Sequence, residues 1–418
     1  MDNGKQKVRL LTYSELLEKL STDSPSHLLL GNGFNNSLGV KTNYSEIFAQ
    51  MKRTYSGYEQ VESYLKGEYF DIEKLIGYLK GQINHDNEDF LPSYIERKVK
   101  LDFMNATNEI IQESIKNVYQ DNNESIHLLL KNFTNYFTLN YDPFLYLLLM
   151  KFKKDDEIKN EVLTIQNTFL FQEEDLNQAQ NNIYKKIKQA KTNGKLTINV
   201  NNNNKTVDLK SVKKTQFVLS VKTYFQDEAW KGKDIEKVCN QIWKEEAKQS
   251  KLKVDDGFRG EQLKLYQETE EQNLYFLHGA FHIVKNKTDI QQIIAKQNKS
   301  FIQKLEKAIH SESKDIVCIL TNNSEEKKVQ IEENKYLEKC FDALSKIDGA
   351  LVILGSSLAE NDNHIFEQIN KSFISKVYIS SCEETHTKDL NRAKDVFPKK
   401  KIILFDYKTI SYREENQK

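Results

Sequence analysis

Short, continuous apolar runs recur along the chain at Leu28–Leu30, Tyr136–Leu139, Leu274–Leu277, Ile316–Leu320, Leu351–Leu354, Val377–Ser380 and Ile402–Phe405. They are too short for ordinary helices and do not alternate with polar residues, so they predict strands covered on both faces, as in a parallel sheet. Between most of them the apolar positions fall at helical spacing, as in Ile72–Leu79, Leu101–Val118, Lys335–Ile347 and Ile365–Ile374. Strands alternating with helices predict an α/β fold with a Rossmann-like, doubly wound, mostly parallel sheet.

The rhythm breaks from about Lys151 to Gly260. This stretch is polar, rich in Lys, Asn, Gln and Glu, and separates the runs at Tyr136 and Leu274, which read as sheet neighbours. It is expected to form an inserted α+β lobe, residues 151–254, within a discontinuous domain made of 1–150 and 255–418. Inside it, Glu173–Thr192 reads as a helix stopped by Asn193-Gly194, two residue types that tolerate the left-handed conformation. Lys195–Val200 and Thr206–Val212 alternate on either side of a turn at Asn201–Lys205, which predicts a hairpin. Gln216–Tyr224 is expected to add a third strand, and Asp234–Lys248 a second helix.

Composition narrows the class. The 418 residues include 61 basic and 61 acidic side chains, so no overall basic field exists to hold a nucleic-acid backbone or an anionic membrane. Direct nucleic-acid binding is therefore not expected. The N-terminal stretch lacks the apolar core of a signal peptide, and no run approaches the roughly 18 apolar residues of a membrane span. A cytoplasmic location is expected. Cys239, Cys318, Cys340 and Cys382 form no CxxC pair, which predicts reduced thiols and no bound metal.

Four strand ends carry candidate chemistry. His27-Leu-Leu-Leu-Gly31-Asn32-Gly33-Phe34-Asn35 runs an apolar strand into two glycines, a turn that lets backbone N–H groups approach a pyrophosphate and that also serves a plain strand-to-helix connection. Phe137-Thr138-Leu139-Asn140-Tyr141-Asp142-Pro143 ends a strand in polar side chains. Asp142 before proline suits a helix N-cap as well as a ligand contact, whereas capping does not explain Asn140. Leu274-Tyr-Phe-Leu277-His278-Gly279 ends in a histidine suited either to proton transfer or to a structural role, beside a glycine that would admit a substrate. His282, a few residues on, reads as structural. Leu354-Gly355-Ser356-Ser357-Leu358, followed by Glu360, Asp362 and His364, has the form of a backbone nest for phosphate or ribose.

In this order the four motifs resemble the sirtuin family, whose NAD+ site has a GAG-type first loop, a TQNxD loop, an HG motif and a GTSL loop. The chain reads Gly31-Asn32-Gly33, Thr138-Leu139-Asn140-Tyr141-Asp142, His278-Gly279 and Gly355-Ser356-Ser357-Leu358. Leu28-Leu-Leu-Gly-Asn-Gly-Phe34 with Thr42-Asn-Tyr-Ser45, and the stretch from Tyr275 through Ser381, are closer still to bacterial sirtuin-like defence proteins, including the AbiH-type abortive-infection group. The resemblance covers about 26–150 and 255–410 and leaves the insert out. It implies Asn140 and His278 as a catalytic pair with Asp142 in support. It also implies dinucleotide contacts from Gly31, Asn32, Gly33, Phe34, Asn35, Thr138, Gly355, Ser356, Ser357 and Ser380.

Two departures bear on function. Asn35 stands where the family has serine after the first loop, and no four-cysteine zinc module lies between His278 and Gly355, where sirtuin deacylases carry one. The second departure favours the NAD+-hydrolysing branch over a deacylase. The resemblance thus implies an NAD+ glycohydrolase that yields nicotinamide and ADP-ribose, acting as a toxic effector in anti-phage defence. The rival reading is a catalytically silent NAD+ or ADP-ribose sensor. Related systems pair such effectors with nucleotide-sensing enzymes, HerA-type ATPases or Argonaute proteins, so an activating partner or self-assembly is implied.

Overall fold

The structure is a computed structural model. It describes residues 9–156 and 252–412, apart from 24, 65–69, 83–89, 121–123, 261–263, 287–288 and 294–313. From the middle of the chain it describes 185, 187, 195–200, 203–208, 221–222, 235 and 238–239. The chain divides into two compact units, Met1–Lys151 with Lys253–Lys418, and Phe152–Leu252.

The first unit is organised by a six-stranded sheet made of β1 (Ser26–Leu30), β2 (Asn135–Thr138), β7 (Leu274–Phe276), β11 (Asp348–Leu354), β12 (Phe373–Ser381) and β13 (Lys401–Asp406). Every pairing is parallel, in the order β13-β12-β11-β1-β2-β7. Among these strands the sequence order therefore reverses between β1 and β11, as in doubly wound dinucleotide-binding sheets. All five residues of β1 are buried, which is why its apolar run is continuous. The one polar ring in that run, His27, is neutralised by its surroundings. It bonds the Asp348 carbonyl at 3.0 Å and the Asn135 amide at 2.9 Å, and burial holds its pKa down at about 4.

Helices connect the parallel strands. Lys335–Ser345 buries Tyr336, Leu337, Cys340, Phe341 and Leu344 on one face, and Asn334 caps its first turn through two backbone N–H bonds. Asn363–Lys371 joins β11 to β12, and His386–Val396 joins β12 to β13. The expected helix over Ile365–Ile374 ends earlier, at Lys371, because Ser372 leaves the helical conformation and Phe373 opens β12.

The run at Ile316–Leu320 is the principal correction to the expected fold. It contributes β10 (Asp315–Cys318) to a separate antiparallel sheet with β5 (Phe258–Arg259), β6 (Lys264–Tyr266), β8 (Gly279–Lys285) and β9 (Ile290–Gln292). A short buried run carries no information about strand direction, so it reads alike in either sheet. One face of this second sheet packs, through Phe281 and Val284 of β8, against helices Tyr44–Thr54, Ile72–Gln82 and Phe90–Gln120. Phe48 stacks on Phe70 at 4.2 Å and Phe103 meets Phe281 edge-on at 5.8 Å.

In the second unit, β3 (Lys195–Val200) and β4 (Asn203–Asp208) pair antiparallel, with Val200 opposite Asn203. The turn is thus tighter than the Asn201–Lys205 expected, and the returning strand begins sooner. Val221 and Lys222 are helical, against the third strand expected at Gln216–Tyr224. Positions 185, 187, 235, 238 and 239 are helical, and the rest of the expected Glu173–Thr192 and Asp234–Lys248 helices lies outside the described residues.

Candidate functional site

Two loops meet where the strand order reverses. Gly31 N–H donates to the Leu354 carbonyl at 3.0 Å, and Gly33 N–H to the Gly355 carbonyl at 2.9 Å. A Cβ on Gly31 would lie 2.5 Å from the Gly355 oxygen, and one on Gly33 2.8 Å from the Gly355 Cα. Gly355 itself has φ +76°, and its Cβ would lie 2.3 Å from Phe34 N. The glycines are thus required by a backbone-to-backbone seam between the loops after β1 and β11. The N–H groups of Gly31 and Gly33 are spent on that seam and not offered to a phosphate. Gly279 follows the same logic: at φ +76° its Cβ would meet the Val317 carbonyl of β10 at 2.0 Å, so it serves strand packing and not substrate access.

The seam separates two compartments and lines both, through Gly33, Gly355, Ser356 and Ser357. The larger, about 660 Å³, also holds Asn140, Asp142 and His278. The smaller, about 540 Å³, is lined by the ends of β11 and β12 and by helix His386–Val396, with Ser380, Ser381, Thr385, Asp389 and Arg392. Both volumes suit a small-molecule site. Leu358 stands at their border with φ 54°, a left-handed conformation that costs a non-glycine residue about 1 kcal/mol or more. Ser356 Oγ accepts from Leu358 N–H at 3.2 Å and Arg392 Nε donates to the Leu358 carbonyl at 2.8 Å, which holds that conformation in place.

In the larger compartment a chain of amides and carboxylates positions Asn140. Asn140 Nδ2 donates to Asn35 Oδ1 at 3.3 Å, and Asn35 Nδ2 donates to Asp142 Oδ2 at 2.9 Å and Thr42 Oγ1 at 3.0 Å. Thr138 Oγ1 takes the Asn140 backbone N–H at 3.0 Å. Asp142 also caps the next helix, accepting Phe144 N–H at 2.9 Å, so capping and site support coincide in one carboxylate. Burial outweighs these bonds and pushes its pKa up to about 6. Three residues expected to touch a dinucleotide do not line either compartment. Phe34 is wholly buried against Phe144, Asn35 is wholly buried in the clamp, and Thr138 is buried beneath Asn140. The helix Asn32–Ser37 turns Phe34 and Asn35 into the core, whereas Gly31, Asn32 and Gly33 face the cavity.

His278 reaches the same compartment from the other direction, between β7 and β8. It is buried, with Nε2 3.1 Å from His364 Nε2 and 3.7 Å from Asp362 Oδ1. Burial and the Lys327 charge hold it well below the usual histidine range, so it rests neutral, with a ring lone pair but with less basicity than a free imidazole. His282 is wholly buried, stacked on Tyr146 at 5.2 Å and edge-on to Phe276 at 4.9 Å, and lines neither compartment. Asp71, Glu73, Asp142 and Asp362 line the larger compartment beside a single cation, Lys74, among the described residues. The lining therefore favours a positively charged guest.

Sequence reasoning passed over Glu73 and Lys327, and it noted Asp362 and His364 without giving them a role. Lys327 Nζ, 1% exposed, lies 3.1 Å from carboxylate oxygens of both Glu73 and Asp362. Glu73 also accepts the Tyr141 hydroxyl at 2.5 Å and the Asn361 amide at 3.0 Å. One signal was open to inspection, since Lys327 recurs with Ile331 at the spacing of a buried helix face. Among the described residues, no group of three His, Cys, Asp or Glu side chains is disposed to hold a metal ion, and no helix is long and apolar enough to cross a membrane.

Fold and site together define an α/β protein with a two-compartment cleft at the switch point of a parallel sheet, one side of it lined by carboxylates. Residues 237–407 match a domain of unknown function (DUF4917). The match takes in His278, Gly355 and Ser380 and leaves Gly31 and Asn140 outside it. No curated protein sequence matches the chain.

Proposed function

We propose that the chain is a sirtuin-like enzyme that binds NAD+ across the glycine seam and hydrolyses it to nicotinamide and ADP-ribose. The observation that carries the reading is the meeting of Asn140 and His278, 138 positions apart by their numbers, in one carboxylate-lined cavity at the switch point. The nicotinamide end of NAD+ is a cation, and breaking its glycosidic bond builds positive charge on the ribose. Asp71, Glu73, Asp142 and Asp362 favour that charge over neutral alternatives. Asn140, fixed by Asn35 and Thr138, orients a ribose hydroxyl or the attacking water by hydrogen bonds. His278 removes the proton of that water: the O–H bond breaks, oxygen bonds C1′, and the C1′–N electron pair leaves with neutral nicotinamide. The smaller compartment, with Ser380, Asp389 and Arg392, takes the adenosine and diphosphate end.

The same resemblance supports a role as a toxic effector of anti-phage defence in the cytoplasm. A nucleotide-sensing enzyme, a HerA-type ATPase, an Argonaute protein or self-assembly would switch it on. One observation favours the rival, a silent NAD+ or ADP-ribose sensor: in the resting chain His278 Nε2 is engaged by His364 and Asn140 Nδ2 by Asn35. Incubating the purified chain with NAD+, alone and with lysate of infected cells, and weighing the products by mass spectrometry separates the two. Appearance of nicotinamide and ADP-ribose is expected; saturable NAD+ binding without product under both conditions would establish the sensor instead.

A further inference from the structure

A run of polar and titratable groups continues from His278 through Lys327, Asp362, His364 and Ser324, of which the proposed reaction uses only the Asp362 charge. Helix Ser324–Glu332 supplies Ser324 and Lys327, the turn Glu360–Asp362 supplies Asp362, and helix Asn363–Lys371 supplies His364. Their hydrogen bonds determine the state of the His278 ring. His278 bonds the Leu139 backbone, and Leu139 N–H is already given to the Leu30 carbonyl at 2.9 Å, so the Leu139 carbonyl is the acceptor. With Nε2 facing His364, the other ring nitrogen carries that proton and Nε2 is bare. His364 Nε2–H is then the donor across the 3.1 Å contact, its Nδ1 accepts from Ser324 Oγ at 3.0 Å, and Ser324 Oγ accepts from His364 N–H at 2.9 Å. Every atom of the run is satisfied with both rings neutral.

Charged and titratable groups surround the ring from several elements. Facing it are Asp362 and His364 on the 360–371 segment, Lys327 on helix Ser324–Glu332, Glu73 on helix Ile72–Gln82, Tyr141 after β2, and Cys318 on β10. Burial pushes the Tyr141 hydroxyl well up and the Cys318 thiol to about 12, and it holds His364 down at about 2, so these three stay neutral. Near the ring, Glu73 and Asp362 thus face Lys327, while Lys328 on the same helix acts on His364. A proton on His278 gives Asp362 a second positive partner.

We propose that His364 and Asp362 are positioning residues of His278. His364 fixes which ring nitrogen is bare and occupies its lone pair until a substrate hydroxyl takes that place; Asp362, anchored by Lys327, meets the charge the ring then acquires. The step conserves protons: the substrate O–H bond breaks, an N–H bond forms at His278 Nε2, and the displaced His364 N–H turns to the Asp362 carboxylate. The identity of the hydroxyl rests on the NAD+-cleaving reading, but the state of the ring does not.

The test has two arms on the full chain. Nitrogen-15 NMR of histidine-labelled protein without ligand is expected to show His278 as one neutral tautomer, protonated on the nitrogen facing Leu139, and His364→Gln is expected to make it a mixture. In NAD+ turnover under activating conditions, His364→Gln and Asp362→Asn are each expected to lower kcat about 10–100-fold with little change in KM. Asp362→Asn is also expected to move the acid limb of the rate profile to lower pH, since loss of a nearby negative charge favours the neutral ring. Ser324→Ala, which removes only one hydroxyl, provides a gentler variant that disturbs the tautomer through His364. A His278 protonated on Nε2, or kcat untouched by both His364→Gln and Asp362→Asn, overturns the proposal. The expected tautomer in a chain that cleaves no NAD+ supports the arrangement and removes the substrate assignment instead.

Discussion

The two compartments that share the glycine seam are built from different materials. The larger draws its polar groups from segments far apart in the chain, Glu73, Asn140, His278 and Asp362, and most of these groups bond one another or Lys327. The smaller takes most of its polar groups from one local stretch, Ser380, Ser381, Thr385, Asp389 and Arg392, where Ser381 and Thr385 hydroxyls donate to a single Asp389 oxygen at 2.5 and 2.6 Å. Buried ionised groups are costly unless their geometry is held from several sides, so such a cluster forms only where the whole fold converges. A hydroxyl-lined pocket needs no such support. On the proposed function, the contrast suits chemistry in the first compartment and recognition in the second.

Removing the groups that define the larger compartment gives the largest expected effect. Asn140→Ala and His278→Ala are each expected to lower NAD+ turnover roughly 10²–10⁴-fold, the range for loss of a positioned acid–base group, with circular dichroism unchanged. His282→Ala makes the matched control. It is expected to lower Tm by opening a cavity beside Tyr146 and Phe276 while retaining kcat, and equal losses from His278→Ala and His282→Ala would dissolve the distinction between site and core.

Next in size is the seam itself. Gly355→Ala forces a side chain into a left-handed residue and against Phe34 N, which together cost about 2–5 kcal/mol. Chemical denaturation should show that loss, and NAD+ binding should weaken with it, because both compartments are lined by this loop. A stable Gly355→Ala with intact binding would mean that the loops can part without harm.

These contrasts also explain what the sequence disclosed. Leu28–Leu30, Leu351–Leu354 and the other parallel strands were legible because burial on both faces leaves an unbroken apolar run, and the polar residues that end those runs project where a doubly wound sheet opens. Ile316 was assigned to the wrong sheet because such a run has no direction. Phe34, Asn35 and Thr138 were grouped with the ligand contacts by the family resemblance of their loops, and only the local backbone shows that they turn inward. Lys327 sits on a helix of charged composition and Glu73 beside the apolar stripe of Ile72–Gln82, so their burial depends on which partners tertiary packing brings opposite them. The balanced net charge likewise concealed a local excess of carboxylates.

Acid should loosen the sheet strands around His278 before helix His386–Val396. His27 on β1, His278 after β7, His282 on β8 and His364 are all buried and held below their usual value, and none of them lines the compartment beside helix His386–Val396. A depressed histidine pKa contributes stability that is present above the unfolded value near 6.5 and is lost as pH falls toward the folded value. For His27 the window runs from 6.5 to about 4 and is worth on the order of 3 kcal/mol, while Asp142, raised to about 6, works in the opposite sense below that pH and offsets part of the combined histidine loss. Hydrogen exchange at stepwise lower pH is expected to release the backbone around β1, β7 and β8 before helix His386–Val396. Simultaneous release would show that the two sides unfold as one.

The smallest effect tests whether recognition and chemistry are separable at all. Ser380 lines the smaller compartment, and its Oγ accepts the Gly355 N–H at 3.0 Å, so it touches the seam from the side away from His278. Ser380→Ala removes that bond from free and bound protein alike, and from the proposed complex it also removes the hydroxyl's donation to the diphosphate end, worth about 1 kcal/mol net. If the compartment only binds, that loss falls equally on the bound ground state and the transition state. KM should then rise about fivefold with kcat unchanged, since 1.4 kcal/mol corresponds to a factor of about ten. Steady-state NAD+ kinetics on wild type and Ser380→Ala measure both constants in one series. A fall in kcat at constant KM would mean that the Gly355–Leu358 loop transmits its position to the carboxylate-lined side, and that the seam couples the two compartments instead of dividing them.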